Sequence, residues 1–197
     1  MPSPPTSRAM RSSISFAAAS ALALAGTVAA QPAPDPELRA ILAQAVATAD
    51  SFEDRFDAEV WLLDMSQRLA PRVPDAAERL ELLKLVHREA TRVELPPELV
   101  LAVIDIESGF DRFAVSRSGA QGLMQIMSFG LDELDVAHTN LFDPALNLRM
   151  GCTILRVYLD REQGDIPRAL ARYNGSAGRR AYPDKVLSAL SAQWFRE

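Results

Sequence analysis

One cysteine and two histidines are all that this chain of 197 residues has of thiol and imidazole groups. A lone thiol, Cys152, excludes an internal disulfide, and its place in an apolar helical pattern predicts a buried structural residue. His87-Arg88-Glu89 has no second histidine at helical spacing, so the zinc-protease arrangement is missing. His87 reads as an edge residue of a helix and His138 as a loop residue. Gly175-Ser176-Ala177-Gly178 is one residue short of a nucleophile elbow. There is no phosphate loop, no dinucleotide fingerprint and no internal repeat. Neither a metal nor a cofactor is expected. Arg179-Arg180 is too small a basic run for nucleic acid, though it suits anionic groups on a peptide. The two-residue alternation of strands is nearly absent.

What is present is ordinary globular composition, 48% hydrophobic and 24% charged, with length for one full core. Residues 1–30 have the pattern of a secretory signal. Arg8 and Arg11 precede an Ala-rich apolar run from Ile14 to Val28, and Ala29-Ala30 supply small residues for cleavage after Ala30. No cysteine stands there for lipidation, and the arginines are not adjacent. Loss of that segment takes the formal net charge from −5 to −7, since it carries two basic and no acidic residues. An acidic exported chain is a poor partner for nucleic acid or anionic membrane surfaces. No other segment is long enough to cross a bilayer, so the expected location is the periplasm.

After a Pro-rich linker, Gln31 to Pro36, the pattern is helical almost throughout. Helices are expected over Glu37–Asp50, Asp54–Leu69, from Asp75 through Val93, from Pro96-Pro97 to Glu107, from Asp143-Pro144 to about Glu162, over Asp165–Tyr173 and over Pro183–Phe195. A brief strand or loop element is expected near Gly119 to Gln125. Trp61 and Trp194 read as packing residues. The fold class is all-α.

The stretch Leu99 to Ile126 carries the chemistry. A nearly all-apolar helix runs into Glu107, whose i−3 and i−4 neighbours are Ile104 and Val103. Gly109 can terminate that helix. Apolar surroundings and the negative end of the helix both favour a protonated carboxyl, fit to act as an acid. On spacing alone, a glutamate in a structural salt bridge is an equal reading.

E-S-G-F at Glu107 to Phe110 and G-x-x-G-L-M-Q-I from Gly119 to Ile126 resemble the signature of the soluble lytic transglycosylase (SLT) family, a lysozyme-like (goose-type) helical fold that cleaves bacterial peptidoglycan. Leu141-Phe142-Asp143-Pro144 with Asn147 and Gly151 resembles the next helix of that family. Ala171-Arg172-Tyr173-Asn174-Gly175 resembles its A-Y-N-A-G element with an arginine inserted, and Tyr182 with Val186 its terminal Tyr-x-x-x-Val. The resemblance covers roughly Arg79 to Leu190. Ser128 stands where the family commonly has proline, which alters loop stiffness only.

The resemblance implies Glu107 as sole catalytic acid/base. It implies Ser116 and Ser118 beside it in the cleft, Gln125 on N-acetyl groups, Met124 in the sugar-binding wall, Tyr173 on the carboxyl or the sugar, and Asn174 as support or ligand contact. Ordinary glycosidases use two carboxylates. Here Asp105 falls on another face of the helix, and Asp111 reads as a solvated loop residue. The implied reaction therefore uses one glutamate and the substrate's own C6 hydroxyl, giving 1,6-anhydro ends without water. The expected organisation is a signal peptide at 1–30, a helical extension at 31–76 and a catalytic domain at 77–197, acting on glycan strands. A wall or secretion-machinery partner stays unidentified. The rivals are a hydrolytic muramidase of the same fold, which needs a second carboxylate, and a non-catalytic peptidoglycan-binding scaffold.

Overall fold

Four aspartates start four of the helices in the computed structural model, which describes residues 51, 54–127 and 140–195. Asp54, Asp75, Asp143 and Asp165 each accept a hydrogen bond from a backbone N–H in the first turn, at 2.6 Å from Phe56, 2.7 Å from Glu78, 2.8 Å from Leu146 and 2.9 Å from Arg168. Helix starts leave such N–H groups without partners, and a carboxylate satisfies them while matching the positive end of the dipole. The helices so begun are α1 (Arg55–Leu69), α2 (Ala76–Arg92), α4 (Pro144–Arg161) and α5 (Ile166–Tyr173). α3 (Pro97–Glu107) opens on proline instead, and α6 (Ala181–Ala189) follows without a side-chain cap. The all-α expectation holds among the described residues, with the start of each of these helices within two residues of its expected place. The signal segment, the linker, the Glu37–Asp50 helix, Ser128 and His138 lie outside the described residues.

α3 is the axis of the molecule. Leu99 to Ile104 are all buried, five of the six completely, and a helix apolar on every side belongs in a core. α2, α6 and the C-terminal segment pack around it. α1 belongs to the same core through Leu62, Met65 and Leu69. Cys152 is a buried thiol in α4, as anticipated, and burial pushes its pKa up to about 12. His87 is half-buried with its ring edge-on to Trp61, and burial lowers its pKa to about 4.

One correction concerns the last helix. α6 stops at Ala189, and Leu190–Trp194 form a π-helical turn. This seats Trp194, fully buried, so that its indole N–H donates to Asp105 at 3.1 Å. Arg72 pairs with the same carboxylate at 2.9 Å and lies over the rings of Phe110 and Trp194. Asp105 is thus a structural tie between α3, the α1–α2 loop and the C-terminal segment.

Two two-residue strands, β1 (Ala120–Gln121) and β2 (Ile126–Met127), pair antiparallel with Ala120 opposite Met127. The turn between them is held against α4 by Asn147, which is completely buried. Its amide donates to the carbonyls of Gln121 and Leu141, each at 2.9 Å, and accepts from the Met124 N–H at 2.8 Å. The approach is so close that a side chain on Gly122 would collide with Asn147 and the Leu141 carbonyl. One on Gly151 would collide with Met124.

Candidate active site

Glu107 is the last residue of α3, and the chain must turn sharply there. The Gly109 N–H closes the helix on the carbonyls of Ile104 and Asp105, both at 3.2 Å. Gly109 and Phe110 then take left-handed φ of 59° and 72°. For an aromatic residue this is costly, and burial of Phe110 against Trp194 holds it there. Ser108 fastens the turn: its hydroxyl donates to the Leu123 carbonyl at 2.8 Å and accepts from the Phe110 N–H at 3.2 Å. That hydroxyl links the end of α3 to the β1–β2 turn.

The carboxyl of Glu107 is half-buried and faces two cavities. One, of about 420 Å³, is lined by Ser116, Ser118, Gln125, Tyr173 and Asn174, with Ile126 and Met127 of β2 and Ile154 and Tyr158 of α4 as its apolar wall. The other, of about 380 Å³, lies against α6 and shares Glu107 and Asn174. Among the described residues, Glu107 is the single carboxylate on either lining. Asp111 is exposed and caps its own turn through the Phe113 N–H, and Asp105 is engaged with Arg72 and Trp194.

The electrostatics fit a proton donor. Burial raises the Glu107 pKa above the ordinary carboxylate value, and a hydrogen bond from the Tyr182 hydroxyl partly opposes the rise. That bond, 2.6 Å long, ends on Oε1, while Oε2 has no hydrogen-bond partner among the described residues. Burial, and then the neighbouring Glu107 charge, raise the pKa of Tyr182 and of Tyr173, so both phenols stay protonated donors.

The other singled-out residues fall into place unevenly. Ser116 accepts from the Ala120 N–H at 3.0 Å and lies 3.0 Å from the Ser118 hydroxyl, forming one lip of the cleft. Gln125 has a left-handed φ of 51°, and its amide nitrogen donates to the carbonyls of Gly122 and Ala114 at 3.0 and 3.2 Å. These bonds hold its side chain at the cavity. Met124 is placed elsewhere: it is fully buried, its side chain lies against Gly151, and it does not line the cleft. Its carbonyl accepts from the Tyr173 hydroxyl at 2.8 Å. Tyr173 thus braces the β1–β2 turn and lines the cavity, while Tyr182 is the phenol on the carboxyl.

Residues 84–187 match the Transglycosylase SLT domain, which is more than half of the chain. The chain belongs to this family. Its helical architecture is the lysozyme-like fold of the SLT domain. A Transglycosylase of Enterobacteria phage PRD1 is 35% identical over 109 residues, 52% of this chain and 40% of that protein. Membrane-bound lytic murein transglycosylase C of Yersinia pestis (strain Pestoides F) is 35% identical over 112 residues, 49% of this chain and 31% of that protein. The chain thus covers less than half the length of these curated relatives. Among the described residues, no helix is long and apolar enough to cross a membrane.

Tyr182 and Ser108 were within reach of the sequence only as letters of a motif. The SLT-domain match contains both, but which of them touches Glu107 is a matter of tertiary geometry. The apolar wall supplied by Ile154 and Tyr158 of α4 had no sequence signal at all beyond helical periodicity.

Proposed function

We propose that this SLT domain is a peptidoglycan lytic transglycosylase in which Glu107 is the sole general acid and base. The observation that carries the reading is a half-buried carboxyl with a raised pKa, between two cavities that no other carboxylate lines among the described residues. A two-carboxylate glycosidase would need a second group at the cleft, and the described residues offer none.

The cleft accepts the β-1,4 bond between N-acetylmuramic acid and N-acetylglucosamine. Protonated Glu107 gives its proton to the bridging oxygen, and the bond from C1 to that oxygen breaks. The substrate's 2-acetamido oxygen stabilises the cationic C1. The carboxylate left behind then takes the C6 hydroxyl proton as O6 bonds to C1, which restores the acid and forms the 1,6-anhydro ring. Attack from within the same sugar has the advantage of proximity, and one group switching from acid to base is consistent with microscopic reversibility. Ser116, Ser118, Gln125, Tyr173 and Asn174 are the contacts assigned to the sugar. Met124 acts through its backbone. Residues 77–197 carry the chemistry, with α1 as a supporting part of their core, and the substrate places the protein on the wall side of the membrane.

The test is mass spectrometry of the products released from purified sacculi. The reading requires ends in 1,6-anhydromuramic acid, and none from Glu107→Gln. Reducing ends would mean hydrolysis, and binding without product would mean a scaffold; either outcome refutes it.

A further inference from the structure

The second cavity beside Glu107 has a different character from the first. It is bordered by Arg179 and Lys185, and Arg179 also lines a third cavity, of about 650 Å³, beside α5. The three cavities therefore follow one another along the surface, joined first at Glu107 and Asn174 and then at Arg179. Among the described residues the first carries no charge besides Glu107, the second adds Arg179 and Lys185, and the third sets four arginines against Glu162 and Asp165.

That charge is local, and two of its cations are unspent. The chain is acidic overall, at −5, yet residues 168–185 hold five cations and one acid, Asp184. Arg168 pairs with Asp165, Arg172 with Glu162 and Arg180 with Asp184. Arg179 and Lys185 have no ion pair among the described residues, and they are the two that border the cavity next to Glu107. Both are exposed, so neither is needed to hold the fold. Unpaired cations beside a reacting carboxyl raise the local concentration of anionic groups.

We propose that this basic trough binds the carboxylates of the peptide stem on the glycan strand, through Arg179 and Lys185, making the enzyme selective for peptide-bearing wall. The inference rests on the proposed activity and names a specificity that the activity alone does not require. The stem suits the trough better than the muramic lactyl group. A lactyl carboxylate is tied to the sugar ring by a short ether, whereas the trough runs past Arg179 into a cavity larger than the cleft itself.

The experiment compares cleavage of peptide-bearing strands with that of amidase-stripped strands, which expose only lactyl carboxylates, and uses binding of chitin oligosaccharides, which have none, as the uncharged control. The variant is Arg179→Ala with Lys185→Ala. An exposed ion pair is worth at most roughly fivefold in binding, so the ratio of kcat/KM on peptide-bearing to stripped strands should fall by on the order of tenfold. Added salt should lower the same ratio for the unmodified chain and hardly change it in the variant. An unchanged ratio overturns the proposal. A loss of equal size on stripped strands, with binding of chitin oligosaccharides unchanged, would assign the trough to the lactyl group and overturn it too. Binding is measured separately by co-sedimentation in the Glu107→Gln background. There, preference for peptide-bearing strands that disappears with the two cations supports the trough even if no cleavage is seen, in which case only the catalytic reading has failed. No preference in that background overturns it.

Discussion

Replacing Tyr182 with phenylalanine removes one oxygen from the site and little else. Tyr182 is 8% exposed and its ring stays buried at the start of α6, so the perturbation is confined to the 2.6 Å bond to Glu107 Oε1. A hydrogen bond to a charged group contributes about 1.5–3 kcal/mol net. In the proposed reaction the carboxyl gains charge as it gives up its proton, so this bond is strongest at the transition state. Felt there in full, its loss lowers kcat roughly 10- to 150-fold. The pH dependence gives a second readout with a definite sign. Burial raises the Glu107 pKa and the Tyr182 bond lowers it, so removing the bond must move the pKa further up. The alkaline limb of the rate profile should shift to higher pH. KM should hardly change, because the hydroxyl meets the enzyme's carboxyl rather than the sugar. The assay is the initial rate of anhydro-product release across pH, with thermal unfolding as the control for folding. An unchanged kcat with an unmoved alkaline limb, in a folded variant, would refute the role assigned to this bond.

Asn147→Ala removes three hydrogen bonds at once, to the Met124 N–H and to the Gln121 and Leu141 carbonyls. At about 1–2 kcal/mol for each, the variant should lose roughly 3–6 kcal/mol. Its melting temperature should fall by on the order of 10 °C; a fall of a degree or two by calorimetry would contradict the clamp. Gly151→Ala forces a methyl into Met124 and should cost about 1–3 kcal/mol. Combined with Met124→Ala the cost should be less than additive in urea unfolding, and strict additivity would mean the two do not touch. Glu107→Gln should stabilise the fold at neutral pH. The folded pKa is raised, so the unfolded chain releases its proton first. Stability is then lost as pH rises from the ordinary glutamate value through the folded one. The amide escapes that loss, so the gain should vanish in acid, and equal melting temperatures at neutral pH would argue against a desolvated carboxyl.

What could be read from the sequence was local. Asp54, Asp75, Asp143 and Asp165 each act on an amide two or three residues away, so the cap and the helix it starts are legible together. Glu107 is legible because it interrupts an apolar run whose burial must follow from its composition. The two tyrosines show where such reading stops. Tyr173 and Tyr182 stand on consecutive helices, and both match the family pattern. Which phenol reaches the carboxyl is set by how α5 and α6 are angled around the end of α3, and no spacing records that angle. Met124 is the same problem at the scale of one side chain. An apolar residue in a glycine-rich turn has two places to go, and the choice is made by the hole at Gly151, twenty-seven positions later in the chain. The π turn is a third case. Nothing in Leu190–Trp194 disfavours an α-helix, but only the wider turn accompanies a Trp194 that reaches Asp105. In each instance the undetermined residue answers to a partner distant in sequence, and each partner is one that shapes the surroundings of Glu107. The residue that performs the chemistry can therefore be found by its own oddness, while the residues that tune it become visible only once the chain has brought them together.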